Sequence, residues 1–133
     1  MVAHNAERAW ATAGLGPQDV HVAEVHDANA WCELHATEAL GFCGVGEGGA
    51  YADSGATRLG GERPINTSGG LASKGHPLGA TGLGMLEELV LQLRGTAGPR
   101  QAGTPTIALQ QNAGGMIGFD EALSHIGVLE RTA

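Results

Sequence analysis

The feature that most constrains this chain is the run Val20-His21-Val22-Ala23-Glu24-Val25, which lies between two helical patterns and ends in His26-Asp27. A short apolar, β-branched run of this kind reads as a buried strand. Before it, Ala6, Ala9, Trp10 and Ala13 recur at helical spacing, so residues 6–13 are predicted to form a helix, with Gly14 ending it and Pro17 just beyond. After it, residues 30–40 are predicted to form a second helix, capped by Asp27 or Asn29, with Glu33 in its first turn and Gly41 at its end. A strand alternating with helices predicts an α/β domain with α-β-α layers.

The rest of the chain extends this pattern. Residues 43–61 are rich in glycine and predict a long irregular loop, either functional or simply solvated. Residues 64–67 read as a short strand, and Ser68-Gly69-Gly70 with Gly75-His76-Pro77-Leu78-Gly79 as a glycine-rich turn. A helix is predicted over residues 80–94, with Leu83, Leu86, Leu89, Val90 and Leu93 as its apolar stripe and Gly95 as its stop. Residues 104–110 read as a strand, 112–115 as a turn and 119–129 as a final strand antiparallel to its neighbour. The 133 residues suit one domain, residues 1–133.

Three places can carry chemistry. His76 lies in Ser73-Lys74-Gly75-His76-Pro77-Leu78-Gly79-Ala80-Thr81-Gly82, where glycines allow close approach and a helix N-terminus follows. A histidine there can act as a general base or donate to an oxyanion. His26 ends the buried strand and can point into a cleft, whereas Asp27 beside it reads better as a helix cap. Gln110-Gln111-Asn112-Ala113-Gly114-Gly115 can expose backbone N–H groups as an anion-binding nest, although by itself it reads as an ordinary hairpin turn.

Other residues point elsewhere. Cys32 reads as a small buried hydrophobe and Cys43 as a loop thiol without a base beside it. His4, His21, His35 and His125 have no metal-ligand spacing, and Trp10 and Trp31 read as packing residues, so no metal site is expected. A net charge of -7 argues against nucleic acid as a partner. No apolar run approaches a membrane span, and residues 1–15 contain no secretory apolar stretch. Two cysteines without a disulfide framework predict a reducing, cytoplasmic setting.

Asn66-Thr67-Ser68-Gly69-Gly70 followed by Gly75-His76-Pro77-Leu78-Gly79-Ala80-Thr81-Gly82 resembles the thiolase signature around that family's catalytic histidine. Glu24-Val25-His26-Asp27-Ala28 resembles the His-Asp motif of the lipid-transfer (sterol carrier protein X-type) thiolases. The segment 36–41 and the last glycine run also fit, so the resemblance extends over about residues 6–131 and includes the related acetyl-CoA acetyltransferases. It implies the C-terminal part of a layered thiolase fold, incomplete relative to the family. It also implies CoA thioester as substrate, with no separate cofactor. His76 would activate a nucleophilic cysteine supplied by an N-terminal half, and His26 would share an oxyanion site. Asn66, Gly75 and Gly79 would belong to the oxyanion and substrate-binding set, with Ala113, Gly114 and Gly115 forming a second oxyanion hole.

The chain departs from the family pattern in three ways. It lacks the half that carries the nucleophile. It has Gln111 and Ala28 at the two places where the family keeps an acid/base cysteine. It also lacks strands that open the family's C-terminal half, which implies an uncovered edge and face. Three readings follow. The first is half of an acyl-CoA acyltransferase, completed by a separately encoded N-terminal half or by self-association. The second is a thiolase-fold retro-aldolase subunit for sterol side-chain CoA esters, working with an OB-fold, zinc-ribbon partner. The third is a non-catalytic acyl-CoA-binding or scaffold subunit.

Overall fold

The structure is a computed structural model and describes residues 1–118 and 120–132. Helix α1 (Val2–Ala13) leads through a short 3-10 turn to strand β1 (Val22–Val25), helix α2 (Ala30–Ala39) and helix α3 (Gly48–Asp53). Helix α4 (Gly70–Lys74), helix α5 (Thr81–Arg94), strand β2 (Ile107–Ile117) and strand β3 (Asp120–Glu130) complete the order. The sheet runs β1-β2-β3, with β1 parallel to β2 and β2 antiparallel to β3. Val25 lies opposite Gln111, and Asn112 opposite His125.

All four residues of β1 are buried, and successive side chains enter two separate cores. Ala23 and Val25 join Ile107 and Leu109 against Val2 and Ala6 of α1, Ala36 of α2 and Leu40 at its C-terminal cap. Val22 and Ala108 face the other way, against Leu89 and Leu93 of α5. The layers are therefore α1/α2, sheet and α5, the expected α-β-α arrangement. Among the described residues no helix is long and apolar enough to cross a membrane.

Several expectations are corrected. The segment 43–61 is not wholly irregular: it contains α3, whose first N–H donates to Glu38 Oε1 at 2.9 Å. Arg63 pins the end of this segment by donating to Val20 O and Tyr51 Oη while stacking over Phe42. The strand expected at 64–67 reduces to one bridge, Ile65 beside Ala23. A short helix, α4, separates the two halves of the expected glycine-rich turn. On α5 the buried face is Met85, Leu89 and Leu93 together with Thr81, Glu88 and Gln92, while Leu83 is exposed. Leu89 and Leu93 of the expected stripe are buried, and polar side chains satisfied by hydrogen bonds share that face, since Gln92 bonds Thr67, Glu88 and Arg100 O.

The largest correction concerns residues 112–115. They are not a turn but part of β2, with Asn112, Ala113 and Gly114 paired across to β3. The expected start of the last strand at Phe119 lies outside the described residues.

Candidate active site

His26 follows β1 directly and is only 8% exposed. Its backbone N–H donates to Gln111 Oε1 at 3.0 Å, and its ring Nδ1 lies 2.9 Å from Asn112 Oδ1. Gln111 is fully buried and donates in turn to Glu121 and to Ser124 Oγ. The neighbouring strand thus fixes both the backbone and the ring of His26. An amide oxygen at Nδ1 calls for a hydrogen there, which leaves Nε2 with the free lone pair.

His76 stands differently. It lies in the exposed segment 72–80, between α4 and α5. Its Nδ1 lies 2.8 Å from Thr81 Oγ1, and that hydroxyl donates to Pro77 O at 3.1 Å. With the hydroxyl hydrogen on Pro77, Thr81 accepts from Nδ1–H, and His76 also presents Nε2 as its basic nitrogen. The two rings meet edge to face, with centroids 4.8 Å apart and planes at 80°. The structure therefore brings together the two histidines that the sequence singled out, although they are fifty positions apart in the chain.

Asp27 is a cap, but not of the helix that follows it. Its carboxylate accepts the backbone N–H of Leu71 at 2.7 Å and of Ala72 at 3.5 Å, at the start of α4. Asn29 caps α2 instead, accepting from Cys32 N at 3.1 Å. Gly70 adopts φ +63°, and a Cβ there would collide with the Asp27 carboxylate, so only glycine fits this contact.

Asn66 holds the backbone in the left-handed region at φ 54°. Its Oδ1 accepts from Val25 N at 2.9 Å, and its Nδ2 donates to Glu33 Oε2 at 2.8 Å. Asn66 thus ties β1 to α2, and its amide is engaged by protein partners. Burial pushes the Glu33 carboxyl upward, the Asn66 bond lowers it in part, and the nearby Asp27 charge raises it again. Gly75, at φ +85°, ends α4, and Gly79 lies in the exposed segment with open space beside it.

A cavity of about 460 Å³ opens beside His26. Ala113, Gly114 and Gly115 line it, together with Ala28, Cys32, Trp31, Met116 and Glu121. Trp31 is not a packing residue: it is exposed and stacks flat on His35 at this cavity, with ring centroids 4.9 Å apart. Ala28 and Gln111 take the two positions where the resemblance expected a cysteine. Ala28 lines the cavity, and Gln111 is a buried strut beneath His26.

The supports of the two histidines were not read from the sequence. Asn112 was hidden in an apparent turn, and the register that sets it beside His26 is a tertiary fact. Thr81 was visible in Gly79-Ala80-Thr81-Gly82, but as a small residue and not as a ring partner.

A model of the thiolase C-terminal domain-like family matches residues 1–126. Sterol carrier protein 2 of Rattus norvegicus is 53% identical over 109 residues, which are 82% of this chain and 20% of that protein. Acetyl-CoA acetyltransferase of Methanothermobacter thermautotrophicus is 46% identical over 110 residues, 83% of this chain and 29% of that protein. Among solved structures, the Ltp2-ChsH2(DUF35) aldolase superposes with a TM-score of 0.74 at 30% identity, covering 83% of this chain and 28% of that one. The chain spans between a fifth and a third of the length of these relatives.

Proposed function

The chain belongs to the thiolase C-terminal domain-like family, and from that premise we propose that it supplies the two-histidine half of a site that makes or breaks a carbon–carbon bond next to a CoA thioester. The observation that carries this reading is the edge-to-face contact of His76 with His26, which lines the cavity, each ring held at Nδ1 with Nε2 free. His76 Nε2 takes the proton of a cysteine thiol contributed by an N-terminal half. The thiolate adds to the ketone of a 3-ketoacyl-CoA, and the carbon–carbon bond breaks. An acyl group then remains on the cysteine, and the departing acetyl-CoA carbanion takes a proton from an imidazolium. CoA thiol next removes the acyl group. In its imidazolium form His26 keeps Nδ1–H on Asn112 Oδ1 and donates Nε2–H to the thioester oxygen as charge builds there.

Several exposed apolar side chains, Leu78 and Leu83 on the His76 side and Met116, Ile117 and Leu123 on the β2–β3 side, support coverage by a further unit. The covering unit is an N-terminal half, borne by this or another polypeptide, or a second copy. The setting is cytoplasmic, and residues 1–133 act as one domain.

A second reading rests on Ala28 and Gln111. Without a cysteine at either position, a site with two imidazoles still holds one base and one acid. A retro-aldol cleavage needs those two: the base takes the hydroxyl proton of a 3-hydroxyacyl-CoA, and the acid returns a proton to the thioester enolate. Similarity to an aldolase supports this alternative, in which the partner is the OB-fold, zinc-ribbon kind.

The test is to co-purify the chain with its native partner, measure the complex by native mass spectrometry, and assay it on 3-keto- and 3-hydroxyacyl-CoA. CoA-dependent cleavage that is lost in His76→Ala supports the first reading, and CoA-independent cleavage supports the second. Full turnover by the isolated chain, or a fully active His76→Ala complex, overturns the half-site. Binding of acyl-CoA without turnover leaves only a scaffold role.

A further inference from the structure

Helix α4 has five residues, too few to hold its shape alone. It is clamped at both ends, from β1 and from the residues just after it. At its start the Asp27 carboxylate takes two backbone N–H groups. At its end Lys74 Nζ donates to Ser68 Oγ at 2.7 Å and to Glu24 Oε2 at 3.4 Å. Ser68 completes this second clamp, donating its hydroxyl to Glu24 Oε2 at 2.6 Å and its backbone N–H to Glu24 Oε1 at 3.0 Å. Glu24 is wholly buried, and Lys74 stands two residues before His76.

We propose that Lys74, through Ser68 and Glu24, is a positioning residue that sets His76 against His26. The proposal rests on the reading of these histidines as a working pair. The placement is direct: Glu24 and Asp27 flank His26 on one strand and its end, and both reach across to the helix whose exit carries His76. The separation of the two rings is thus referred back to a single rigid strand. His76 itself, in an exposed segment, has only Thr81 as a side-chain hydrogen-bond partner among the described residues.

The clamp is electrostatically tense, which makes its parts interdependent. Burial pushes the Glu24 carboxyl upward, while the Ser68 bonds and the Lys74 charge pull it back and the more distant Glu88 adds to the rise. A buried carboxylate that loses the cation paired with it is strongly disfavoured. Removing Lys74 therefore withdraws the anchor of α4 and the reason for Glu24 to stay charged.

The experiment reads ring geometry, not turnover. In the full chain, the nuclear Overhauser cross-peak between the His26 and His76 ring protons is compared in wild type, Lys74→Met, Lys74→Arg and Ser68→Ala. The expected result is loss of the cross-peak in Lys74→Met with the amide spectrum of β1, β2 and α5 retained, and its return in Lys74→Arg. If Lys74→Met fails to fold, Ser68→Ala decides, because it removes the bridging hydroxyl and keeps the charges. An undiminished cross-peak in a folded Lys74→Met, or in Ser68→Ala where that variant decides, overturns the proposal. No substrate is needed, so an inactive complex with the expected cross-peak pattern refutes only the proposed reaction. A turning-over, His76-dependent complex whose cross-peak ignores Lys74 refutes only the clamp.

Discussion

His26 and His76 touch, yet they are held in opposite ways. His26 grows out of a buried strand, and the next strand fixes both its backbone and its ring. His76 lies in an exposed segment whose root is a five-residue helix clamped by side chains. The difference teaches that one half of the pair is set by the sheet and the other by a few polar contacts that can be removed one at a time.

The largest expected effect comes from Gly70→Ala. It forces a left-handed φ on a residue with a Cβ and drives that Cβ into Asp27, so it strikes the cap that anchors α4. A loss of about 3 kcal/mol is expected from the strain and the lost cap together. Urea unfolding measures it, and a loss within error of zero would mean that α4 does not need Asp27. Next comes the direct contrast. His26→Ala leaves Asn112 Oδ1 and the cavity wall without their partner and is expected to cost about 1–3 kcal/mol. His76→Ala, at an exposed position, is expected to change stability by less than about 0.5 kcal/mol. Equal unfolding midpoints for the two variants would erase the distinction.

The smallest effect is a pair of opposite pH slopes. Burial raises the Glu88 carboxyl, but hydrogen bonds from Arg100, Gln92 and Thr67 and the Arg100 charge outweigh it and leave Glu88 below its ordinary 4.5. Its contribution is therefore complete above the unfolded value and is lost as pH falls through the lower folded one. Glu24 is raised above 4.5, so its contribution is complete below that value and is lost as pH climbs through the raised one. Unfolding free energies measured from about pH 3 to about pH 7 should show Glu88→Gln flattening the acid limb and Glu24→Gln flattening the limb above it. If either variant flattens the other's limb, the assignment of these carboxylates is wrong.

The sequence was most legible where a pattern repeats locally. The run ending at Val25, the α2 segment with its Asn29 cap and the α5 segment ending at Gly95 all follow from short-range spacing and end signals. It was least legible where a partner lies far along the chain. Asp27 sits two residues before Asn29, yet it caps a helix more than forty positions on, which no local rule selects. Residues 112–115 have the composition of a turn, and only pairing with β3 makes them a strand. The two histidines could be picked out because glycines and a strand end surround them. Their ring partners, Asn112 and Thr81, depend on register and on the entry to α5.

Gly82 carries a further consequence. A Cβ at this position would lie 2.7 Å from Asn112 Nδ2, in the space taken by the amide that orients His26. Gln110 Nε2 also donates to Gly82 O at 2.7 Å, so the approach is fixed from two directions. Glycine near the start of a helix gives up roughly 1 kcal/mol relative to alanine, so an alanine at 82 looks attractive to anyone seeking a more robust chain. Here it would rotate the Asn112 amide and, with it, the imidazole on the neighbouring strand. Positions 82 and 112 are therefore one joint choice: in a combinatorial library, or in the drift of related chains, a side chain at the first is expected only with a smaller one at the second.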